Sequence, residues 1–445
     1  MKKVITYGTY DMLHYGHIRL LQRAKELGDY LIVGVTSDDY DQTRGKINNQ
    51  QSLIERVQAV RDTGLADEII VEEHEGQKID DIQRYDIDIF TVGSDWVGKF
   101  DYLNEYCKVV YLDRTQGISS TEIRSKDREI RIGLVGNEES RILNKYCDEF
   151  IFVNGADVAG LCTTSVTLRE EMSSKVPYIT NQYEELLDRC DAVYLISQPQ
   201  SHYEQIKKAL ISGKHVLVEA PIALSRRECE ELFALAKEKN LVLMEAIKTA
   251  YATAYNRLLL LIKSGKIGRV VSVDAVCTSL YDIETNKGEV WNSITAWGPT
   301  GLLPVFQILG TDYMDVRLIS LFSDKQLKID AFTKIDFIYK AATATVKVGR
   351  GVKAEGELVI AGTDGYVYVP APWWKTDYFE VRYEDTENNK RYFYQLDGEG
   401  IRYEIVAFVK AIQKGSNNTY LDKNISCSIA QIMEKYYNDN NIELI

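Results

Sequence analysis

Apolar and polar positions in residues 1–112 switch repeatedly between two patterns. Short apolar runs, typical of buried strands, alternate with segments whose apolar residues recur at helical spacing. The pattern predicts strands at Val4–Tyr7, Tyr30–Val35, Glu68–Val71, Ile87–Val92 and Val109–Leu112, and helices at His17–Leu27, Ser52–Thr63 and Lys78–Tyr85. Such alternation predicts an α/β fold: a mostly parallel sheet covered on both faces, with ligands at the carboxyl ends of its strands.

A second segment of the same kind follows a charged connector at residues 125–130. Its pattern predicts strands at Arg131–Val135, Asp157–Leu161, Asp191–Ser197 and His215–Glu219, with helices at Glu204–Ser212 and Arg226–Lys239. This segment is therefore expected to be a second α/β unit with a parallel sheet.

From about residue 250 the pattern changes to apolar and aromatic alternation, which favours antiparallel strands. The predicted strands are Leu327–Tyr339, Thr343–Val348, Gly356–Ile360, Tyr366–Val369, Phe379–Tyr383 and Arg391–Gln395, and the predicted helices are Ile401–Gln413 and Ile429–Tyr437. The run Thr363–Gly365 supplies a tight turn between two of these strands. We predict three domains: residues 1–126, residues 127–249, and an α+β domain with a large, mostly antiparallel sheet in residues 250–445.

Composition narrows the class of protein. A net charge of −13 argues against a general nucleic-acid or anionic-membrane binder, which needs a basic surface. The chain starts with too short an apolar run for a signal peptide and has no stretch of about 20 apolar residues, so we expect a cytoplasmic protein. Its seven cysteines are dispersed without a Cys-x-x-Cys pair, which favours reduced thiols over disulfides or a zinc site. We expect no metal site built from protein ligands.

The stretch GTYDMLHYGH, residues 8–17, places two of the five histidines at the start of a predicted helix. Gly8 and Thr9 end a buried strand, and Gly16 permits close approach of a ligand to the backbone. Free amide N–H groups and the positive end of a helix dipole favour anions there. A surface or capping role for His14 and His17 is the plain alternative, but the context favours a cluster of donors for a polyphosphate.

A second stretch, RTQGISSTEIR at residues 114–124, follows the strand Val109–Leu112. Arg114 offers a fork of donors, and the hydroxyl run of residues 119–121 begins another predicted helix. A plain helix cap is the alternative for such a run. With Arg114 and Gly117 before it, a second phosphate cradle is favoured.

These motifs carry a resemblance. GTYD and HYGH form the GTxD…HxGH signature of the nucleotidylyltransferase superfamily. Residues 1–125 closely resemble the glycerol-3-phosphate cytidylyltransferase family, also through LLQRAKELGDYLIVGV, VGSDWVGKFDYL and RTQGISST. The resemblance implies a Rossmann-like sheet and transfer of CMP from CTP to a polyol phosphate, with sn-glycerol 3-phosphate as the best candidate. It implies a CTP pocket made of Thr9, Tyr10, His14, Tyr15, Gly16, His17, Lys46, Arg114, Thr115, Gln116, Gly117, Ile118, Ser119, Ser120 and Thr121.

The resemblance also implies individual roles. His14 and His17 would stabilise the α-phosphate in the transition state of an in-line attack without a covalent intermediate. Lys46 and Arg114, with the 119–121 turn and Mg²⁺, would hold the departing pyrophosphate. The phosphate of the acceptor would be held by Arg44 and Lys78.

One departure concerns acceptor recognition. Arg56 fits the family pattern, but Gly64 stands where a second arginine is expected, and the nearest arginine is Arg61. Trp96 of the Asp-Trp pair either packs or faces the substrate. Adenylyl transfer remains an alternative to cytidylyl transfer, because the spacing of these motifs does not indicate which nucleotide base is bound. A class I aminoacyl-tRNA synthetase is a weaker rival, since a Lys-rich catalytic loop and a tRNA-binding surface are not evident.

Residues 129–445 resemble the glucose–fructose oxidoreductase and inositol dehydrogenase family, through YEELLDRCDAVYLISQPQSHYEQIKKALISGKHVLVEAPIALS, SGKIGRVVSV and GVKAEGELVIAGTDGYVYVP. The chemistry-bearing motifs depart from that family. After Gly136 the dinucleotide fingerprint reads Asn137-Glu138-Glu139-Ser140, Cys162-Thr163-Thr164 replaces a ribose-binding carboxylate, and Ala220 replaces the motif lysine. The expected Asp and His are missing from WGPTGLLPVFQILG, residues 297–310.

These departures predict a second half that does not bind NAD(P) and serves dimerisation, acceptor capture or regulation. The alternative is an active NAD(P)-dependent reductase that makes the polyol phosphate for the first segment. The sheet of residues 327–395, rich in Tyr and Trp (Trp373, Trp374, Tyr378), is expected to form a homodimer interface.

Overall fold

The computed structural model describes residues 1–37, 51–74, 76–113, 130–137, 140–153, 155–280, 292–324, 329–394, 396, 398–415, 420–438 and 442–445. The chain divides into two compact units, Met1–Arg128 and Glu129–Ile445. The division of residues 127–445 at residue 249 stays a prediction. Within the described residues, no helix is both long and apolar enough to cross a membrane.

The first unit is built around a parallel sheet in the order β3-β2-β1-β4-β5. Its strands are β1 Lys3–Gly8, β2 Tyr30–Thr36, β3 Glu68–Glu72, β4 Ile89–Gly93 and β5 Lys108–Leu112. Its helices are α1 Tyr15–Lys25, α2 Leu53–Asp62 and α3 Gln77–Tyr85. Short 3₁₀ turns follow at Ser94–Trp96 and Asp101–Glu105. The predicted parallel α/β fold is confirmed.

The central strand β1 divides the core of this unit into two layers. Val4 packs with Leu21 and Ala24 of α1 on one face. Ile5 packs with Ile82 of α3 and Phe90 of β4 on the other. Because alternate side chains of a strand point to opposite faces, a run of apolar residues is what a sheet covered on both faces requires.

The second unit begins with another parallel sheet, in the order β11-β10-β9-β6-β7-β8. The strands are β6 Ile130–Val135, β7 Ala156–Cys162, β8 Ile179–Thr180, β9 Ala192–Leu195, β10 His215–Glu219 and β11 Leu243–Ala246. The helices are α4 Ser140–Phe150, α5 Val166–Met172, α6 Tyr183–Leu187, α7 Pro199–Ile211 and α8 Arg226–Glu238. The predicted parallel sheet is confirmed, and β8 and β11 were missed by the sequence pattern.

The rest of the second unit forms a mixed sheet in the order β19-β18-β17-β16-β12-β15-β14-β13-β20. Its strands are β12 Val270–Thr278, β13 Asp315–Asp324, β14 Ile329–Ile338, β15 Thr343–Gly349, β16 Leu358–Gly362, β17 Tyr366–Val369, β18 Tyr378–Arg382, β19 Lys390–Phe393 and β20 Glu443–Leu444. Among the described pairs, β12–β15 and β13–β20 are parallel, and the others are antiparallel. The prediction of a large, mostly antiparallel sheet is confirmed.

Helices complete the second unit around this sheet. They are α9 Lys248–Tyr251, α10 Thr253–Lys263, α11 Ser293–Leu309, α12 Ile401–Lys414 and α13 Lys423–Asn438. The helix α11 packs on β12, β14 and β15, and most of its residues are buried. The predicted helix at Ile429–Tyr437 begins earlier, at Lys423.

Candidate functional site

The loop between β1 and α1 lies at the carboxyl end of the central strand, where a parallel sheet binds ligands. The loop turns sharply: Tyr10 and Met12 both have left-handed backbone angles, with φ of 53° and 47°. A Cβ at Gly8 would lie 2.9 Å from the Tyr10 ring, so the close approach of that ring requires glycine. Because non-glycine residues rarely adopt left-handed backbone angles, two of them in one loop indicate that contacts with the surrounding structure hold its conformation.

The two histidines form a stacked pair at the start of α1. Their ring centroids lie 3.9 Å apart with an angle of 22° between the planes. His14 is the N-cap, and its Nδ1 accepts the Gly16 amide at 3.0 Å, while the His17 Nδ1 lies 3.5 Å from the His14 amide. Because each Nδ1 faces a backbone donor, the neutral tautomer of each ring carries its proton on Nε2. Both rings are thus set to donate from Nε2 at a helix N-terminus.

The sequence context favours anion binding by these histidines, with helix capping as the plain alternative. The geometry supplies the capping role through Nδ1, and the proton of each neutral ring then lies on Nε2. The two roles are therefore compatible. Tyr10 is almost fully buried with its ring edge-on to His17, at 5.6 Å between centroids, whereas Tyr15 is exposed.

A buried arginine fixes this loop to the sheet. Arg56 of α2 is fully buried, and its Nη1 donates to the carbonyl oxygens of Thr9 and Thr36 at 2.7 and 2.8 Å. Its Nε donates to the Gln51 carbonyl at 3.2 Å. One guanidinium thus joins the ends of β1 and β2 to the start of α2. The planar guanidinium group, with several N–H donors, suits this anchoring role. The role could not be recognised from the position of Arg56 in the sequence.

A second tie runs through Asp11, the acidic residue of the GTYD run. The buried Asp11 carboxylate accepts the Gln51 amide at 3.0 Å, and the Gln51 side-chain oxygen accepts the Met12 amide at 2.7 Å. The loop from Thr9 to His14 is therefore anchored at both ends and in the middle.

Lys78 lies on the α3 side of the same sheet. It is buried, forms an ion pair with the fully buried Glu72 at the end of β3, and has its Nζ 4.7 Å from the Tyr7 ring centroid. The Tyr7 hydroxyl donates to Asp81 at 2.8 Å, and burial followed by that carboxylate raises the pKa of Tyr7 strongly. The structure thus places Lys78 on the face opposite the core layer of α1, held by a carboxylate.

The remaining predicted site residues are distributed as follows. Trp96 packs against Phe100, with ring centroids 5.8 Å apart, in the core layer of α3. Gly64 follows α2 with a φ of 66°, a conformation that disfavours the arginine expected there. Arg44, Lys46, and Arg114 through Thr121 lie outside the described residues. Their roles stay predictions.

In the second unit, an open cleft of about 740 Å³ lies at the carboxyl ends of β6, β7 and β9. Asn137 follows β6, and its side-chain oxygen accepts hydrogen bonds from the Thr163 hydroxyl and from the Thr164 amide and hydroxyl, at 2.8–3.0 Å. Gly136 is retained, and a Cβ there would lie 2.9 Å from the Ile196 carbonyl oxygen. Asn137 therefore bridges the ends of β6 and β7 at the edge of this cleft. Glu138 and Glu139 lie outside the described residues.

A separate cavity of about 520 Å³ lies beside the ends of β10 and β11. Glu219 and Ala220 line it, so the position of the motif lysine faces the cavity without an amine. Trp297 and Thr300 of α11 also line it, and they belong to the segment of residues 297–310 in which an Asp and a His were expected. His202 is fully buried, with its ring nitrogens 2.8 Å from the Pro221 and Ser197 carbonyl oxygens, which is a structural position.

Comparisons with known proteins match these two units separately. Residues 5–126 match a family model described as cytidylyltransferase-like, and residues 130–247 match one described as an oxidoreductase family with an NAD-binding Rossmann fold. The chain is 53% identical over 124 residues to the glycerol-3-phosphate cytidylyltransferase of Bacillus spizizenii, covering 28% of this chain and 95% of that protein. It is 48% identical over 126 residues to the enzyme of the same name from Staphylococcus aureus, with 28% and 95% covered.

Among solved structures, the chain is similar to a 3-ketoreductase from Actinomadura kijaniata in complex with NADP and TDP-benzene. The TM-score is 0.63 at 18% identity, over 71% of this chain and 99% of that protein. This likeness concerns the fold. Together the comparisons confirm both resemblances found in the sequence.

Proposed function

The chain belongs to the cytidylyltransferase-like family and is a nucleotidyltransferase, and we propose that its first unit transfers CMP from CTP to a polyol phosphate. The best candidate for the acceptor is sn-glycerol 3-phosphate, which would give CDP-glycerol and pyrophosphate. The observation that carries this proposal is the stacked pair His14–His17 at the N-terminus of α1, at the carboxyl end of the central strand. This acceptor is also the one in the name of the two similar enzymes, glycerol-3-phosphate cytidylyltransferase.

In the proposed reaction, a phosphate oxygen of the acceptor attacks the α-phosphorus of CTP in line. The bond from the α-phosphorus to the bridging oxygen breaks, and pyrophosphate leaves with that electron pair. His14 and His17 donate from Nε2 to α-phosphate oxygens, whose charge grows in the transition state. Because the loop is anchored by Arg56 and Asp11, these donors are positioned before the substrate arrives.

Anion binding in this loop comes from N–H groups: imidazole Nε2 donors and the first amides of α1. Such donors suit phosphate oxygens rather than a cation, so Mg²⁺ would be held by the phosphates of CTP, where it neutralises charge. Lys46 and Arg114 through Thr121 are proposed to bind the pyrophosphate. Arg44 and Lys78 are proposed to bind the acceptor phosphate, with Glu72 holding the Lys78 ammonium in place.

For the second unit, we propose a role without NAD(P). Asn137 follows Gly136 in the altered fingerprint and is hydrogen-bonded to Thr163 and Thr164, and neither threonine offers a carboxylate for a ribose. We also propose that the protein is a homodimer through its mixed sheet. One of the aromatic residues predicted for this interface is unsuitable. Trp373 is fully buried and donates to the Val276 carbonyl at 3.1 Å, so it cannot contact a second chain. The exposed Ile338 and Phe393 are better candidates for the interface.

The test of the transferase proposal is an assay of pyrophosphate release with Mg²⁺, CTP, ATP or GTP, and a panel of polyol phosphates. CTP with glycerol 3-phosphate is expected to give the fastest turnover. Faster turnover with ATP or GTP for every acceptor would refute cytidylyl transfer, and faster turnover with another polyol phosphate would reassign the acceptor. For the second unit, oxidation of NAD(P)H with a keto-sugar phosphate would establish the reductase alternative.

A further inference from the structure

The cavity beside the ends of β10 and β11 in the second unit is positively charged, although the whole chain carries a net charge of −13. Among the described residues that line it, the basic and acidic side chains are Lys145, Lys248, Arg350, Lys375, Glu219 and Glu399. Its volume of about 520 Å³ falls within the range of pockets that enclose small molecules. An excess of cations in a cavity of this size points to an anionic ligand.

Two of the cations share one carboxylate at the mouth of the cavity. The Nζ atoms of Lys145 and Lys375 lie 3.0 and 3.1 Å from the same oxygen of Glu399. Glu399 is exposed and has a left-handed backbone with a φ of 54°. Because a phosphate offers more charge and more acceptor oxygens than one carboxylate, a phosphorylated ligand can draw both ammonium groups together.

The floor of the cavity offers acceptors for hydroxyl groups. The Tyr194 hydroxyl lies 2.9 Å from Glu219 and 2.7 Å from Glu404, and Tyr146 donates to Glu219. One hydroxyl proton cannot serve both carboxyl groups. Burial raises the pKa of Glu404 to about 8, so this carboxyl group keeps its proton at neutral pH. Glu219 is therefore the acceptor that faces the cavity.

The wall of the cavity is aromatic. Trp297 and Trp374 lie side by side, with ring centroids 4.8 Å apart, and the Trp297 indole donates to Ser279 at 3.2 Å. Indole faces pack well against the C–H groups of a carbon chain or against a pyrimidine ring. Lys248 lines the same cavity, with its Nζ 5.2 Å from the Tyr146 ring centroid.

We propose that this cavity binds a phosphate ester of a polyol and holds it without redox chemistry. The cations take the phosphate, Glu219 accepts hydroxyl groups, and the two indoles cover the carbon chain. The ligand is either the free polyol phosphate or its CDP-linked form. The cavity chemistry sets the ligand class, and the choice of glycerol compounds as probes rests on the function proposed for the first unit.

The structure also argues that the bound ligand is not reduced. The described residues lining the cavity include neither Asp nor His, and Ala220 stands where the resemblance expects a lysine. In the neighbouring cleft, Asn137 and Thr164 are joined by a hydrogen bond, and neither residue offers a carboxylate for the ribose of a hydride donor. The site is therefore one for storage, capture or sensing of the ligand.

The test is calorimetric titration of the full chain without CTP, in separate arms with glycerol 3-phosphate, CDP-glycerol, glycerol and inorganic phosphate. Lys78→Ala, which weakens the proposed acceptor site of the first unit, isolates the second site. In that background we expect one site per chain for at least one of the two esters, with glycerol and phosphate at least ~10-fold weaker. Binding is expected to quench tryptophan emission, because two indoles line the cavity.

Lys248→Gln and the exposed Lys375→Gln are each expected to weaken this binding about 10-fold or more. Lys340→Gln, an exposed lysine in the turn between β14 and β15, is the matched control and is expected to change nothing. Equal affinity in all three variants overturns the proposal, as does the lack of a second site for either ester. Loss of ester binding in the lysine variants supports the cavity proposal even if the protein does not turn over CTP. If the protein turns over CTP normally but binds no ester in this cavity, the cavity proposal is refuted and the transferase proposal stands. Lys375→Gln decides the case if Lys248→Gln does not fold.

Discussion

Replacing Arg56 by Met tests how the first unit holds the loop between β1 and α1. The side chain is fully buried and donates to three backbone carbonyls, those of Thr9, Thr36 and Gln51, at 2.7, 2.8 and 3.2 Å. Methionine fills much of the same space without a donor. The variant therefore removes the hydrogen bonds while keeping most of the packing.

The size of the effect follows from these contacts. A buried acceptor that loses its partner costs about 1–3 kcal/mol, and carbonyls that regain water fall at the lower end of that range. Three such carbonyls give an expected loss of about 3–5 kcal/mol in the free energy of unfolding of the first unit. At about 1.4 kcal/mol for each factor of ten, the opening equilibrium rises roughly a hundredfold to several thousandfold.

Hydrogen exchange with mass spectrometry reads each unit separately. Peptides covering β1 and β2 are expected to lose protection by that factor in Arg56→Met, while peptides covering β10 keep theirs. Arg84→Met, which removes an exposed arginine of α3, is the control and is expected to stay within about 0.5 kcal/mol of the wild type. If β1 and β2 exchange within about threefold of the wild type in Arg56→Met, the anchoring role assigned to this arginine is wrong.

Three further predictions follow from the two units. His17→Ala is expected to lower kcat for pyrophosphate release by about 10²–10³ with little change in CTP binding, because its donor bond strengthens as charge develops. Lys78→Ala is expected to raise mainly the KM for the acceptor in the same assay, whereas the control Arg84→Ala leaves it unchanged. Glu404 has a folded pKa of about 8 against 4.5 unfolded, so the second unit is expected to lose stability as pH rises from about 5 to 8. Glu404→Gln is expected to flatten that dependence of Tm on pH.

Each of these expectations has its own contrary result. A nearly silent His17→Ala would remove this ring from the transition state, and weakened CTP binding in Lys78→Ala would place that lysine in the nucleotide pocket. The sign for Glu404 is fixed by linkage: above pH 4.5 the unfolded chain releases a proton that the folded chain keeps until about pH 8. A Tm of the second unit that rises over this interval would therefore contradict the protonated state of Glu404.

The pattern of hydrophobic residues predicted many of the strands and helices correctly, because most of these elements bury residues that recur at strand or helix spacing. The strands His215–Glu219 and Tyr366–Val369 match their predicted bounds. The helix α11, Ser293–Leu309, was missed because it is buried nearly all round and contains Pro299 and Pro304, so it lacks a helical repeat of polar positions. Burial from several sides removes the periodic contrast on which such predictions depend.

The candidate site was predictable in its chemistry and less so in its geometry. The histidines could be recognised as anion donors from their place at a strand–helix junction. Their stacking, and the use of Nδ1 as acceptor in both, depend on the turn at Tyr10 and Met12, which no local propensity favours. Arg56 could be aligned by resemblance, but its three carbonyl partners come from separate segments and appear only in the folded chain.

The buried polar residues beneath the cavity of the second unit are a reason to expect a ligand there, although the catalytic motifs of the oxidoreductase family are altered. A domain kept only for assembly would gain stability from apolar residues in place of Glu219, Glu404 and Tyr194, because burying carboxyl groups is costly even when they are hydrogen-bonded. Instead these groups form a connected network beneath a cavity whose basic residues come from several segments of the unit. Repulsion among the cations opposes folding, and the phosphate of a bound polyol ester would offset it, while the hydroxyl groups of the ester would donate to Glu219. The cavity is therefore better explained by a bound phosphate ester than by packing alone.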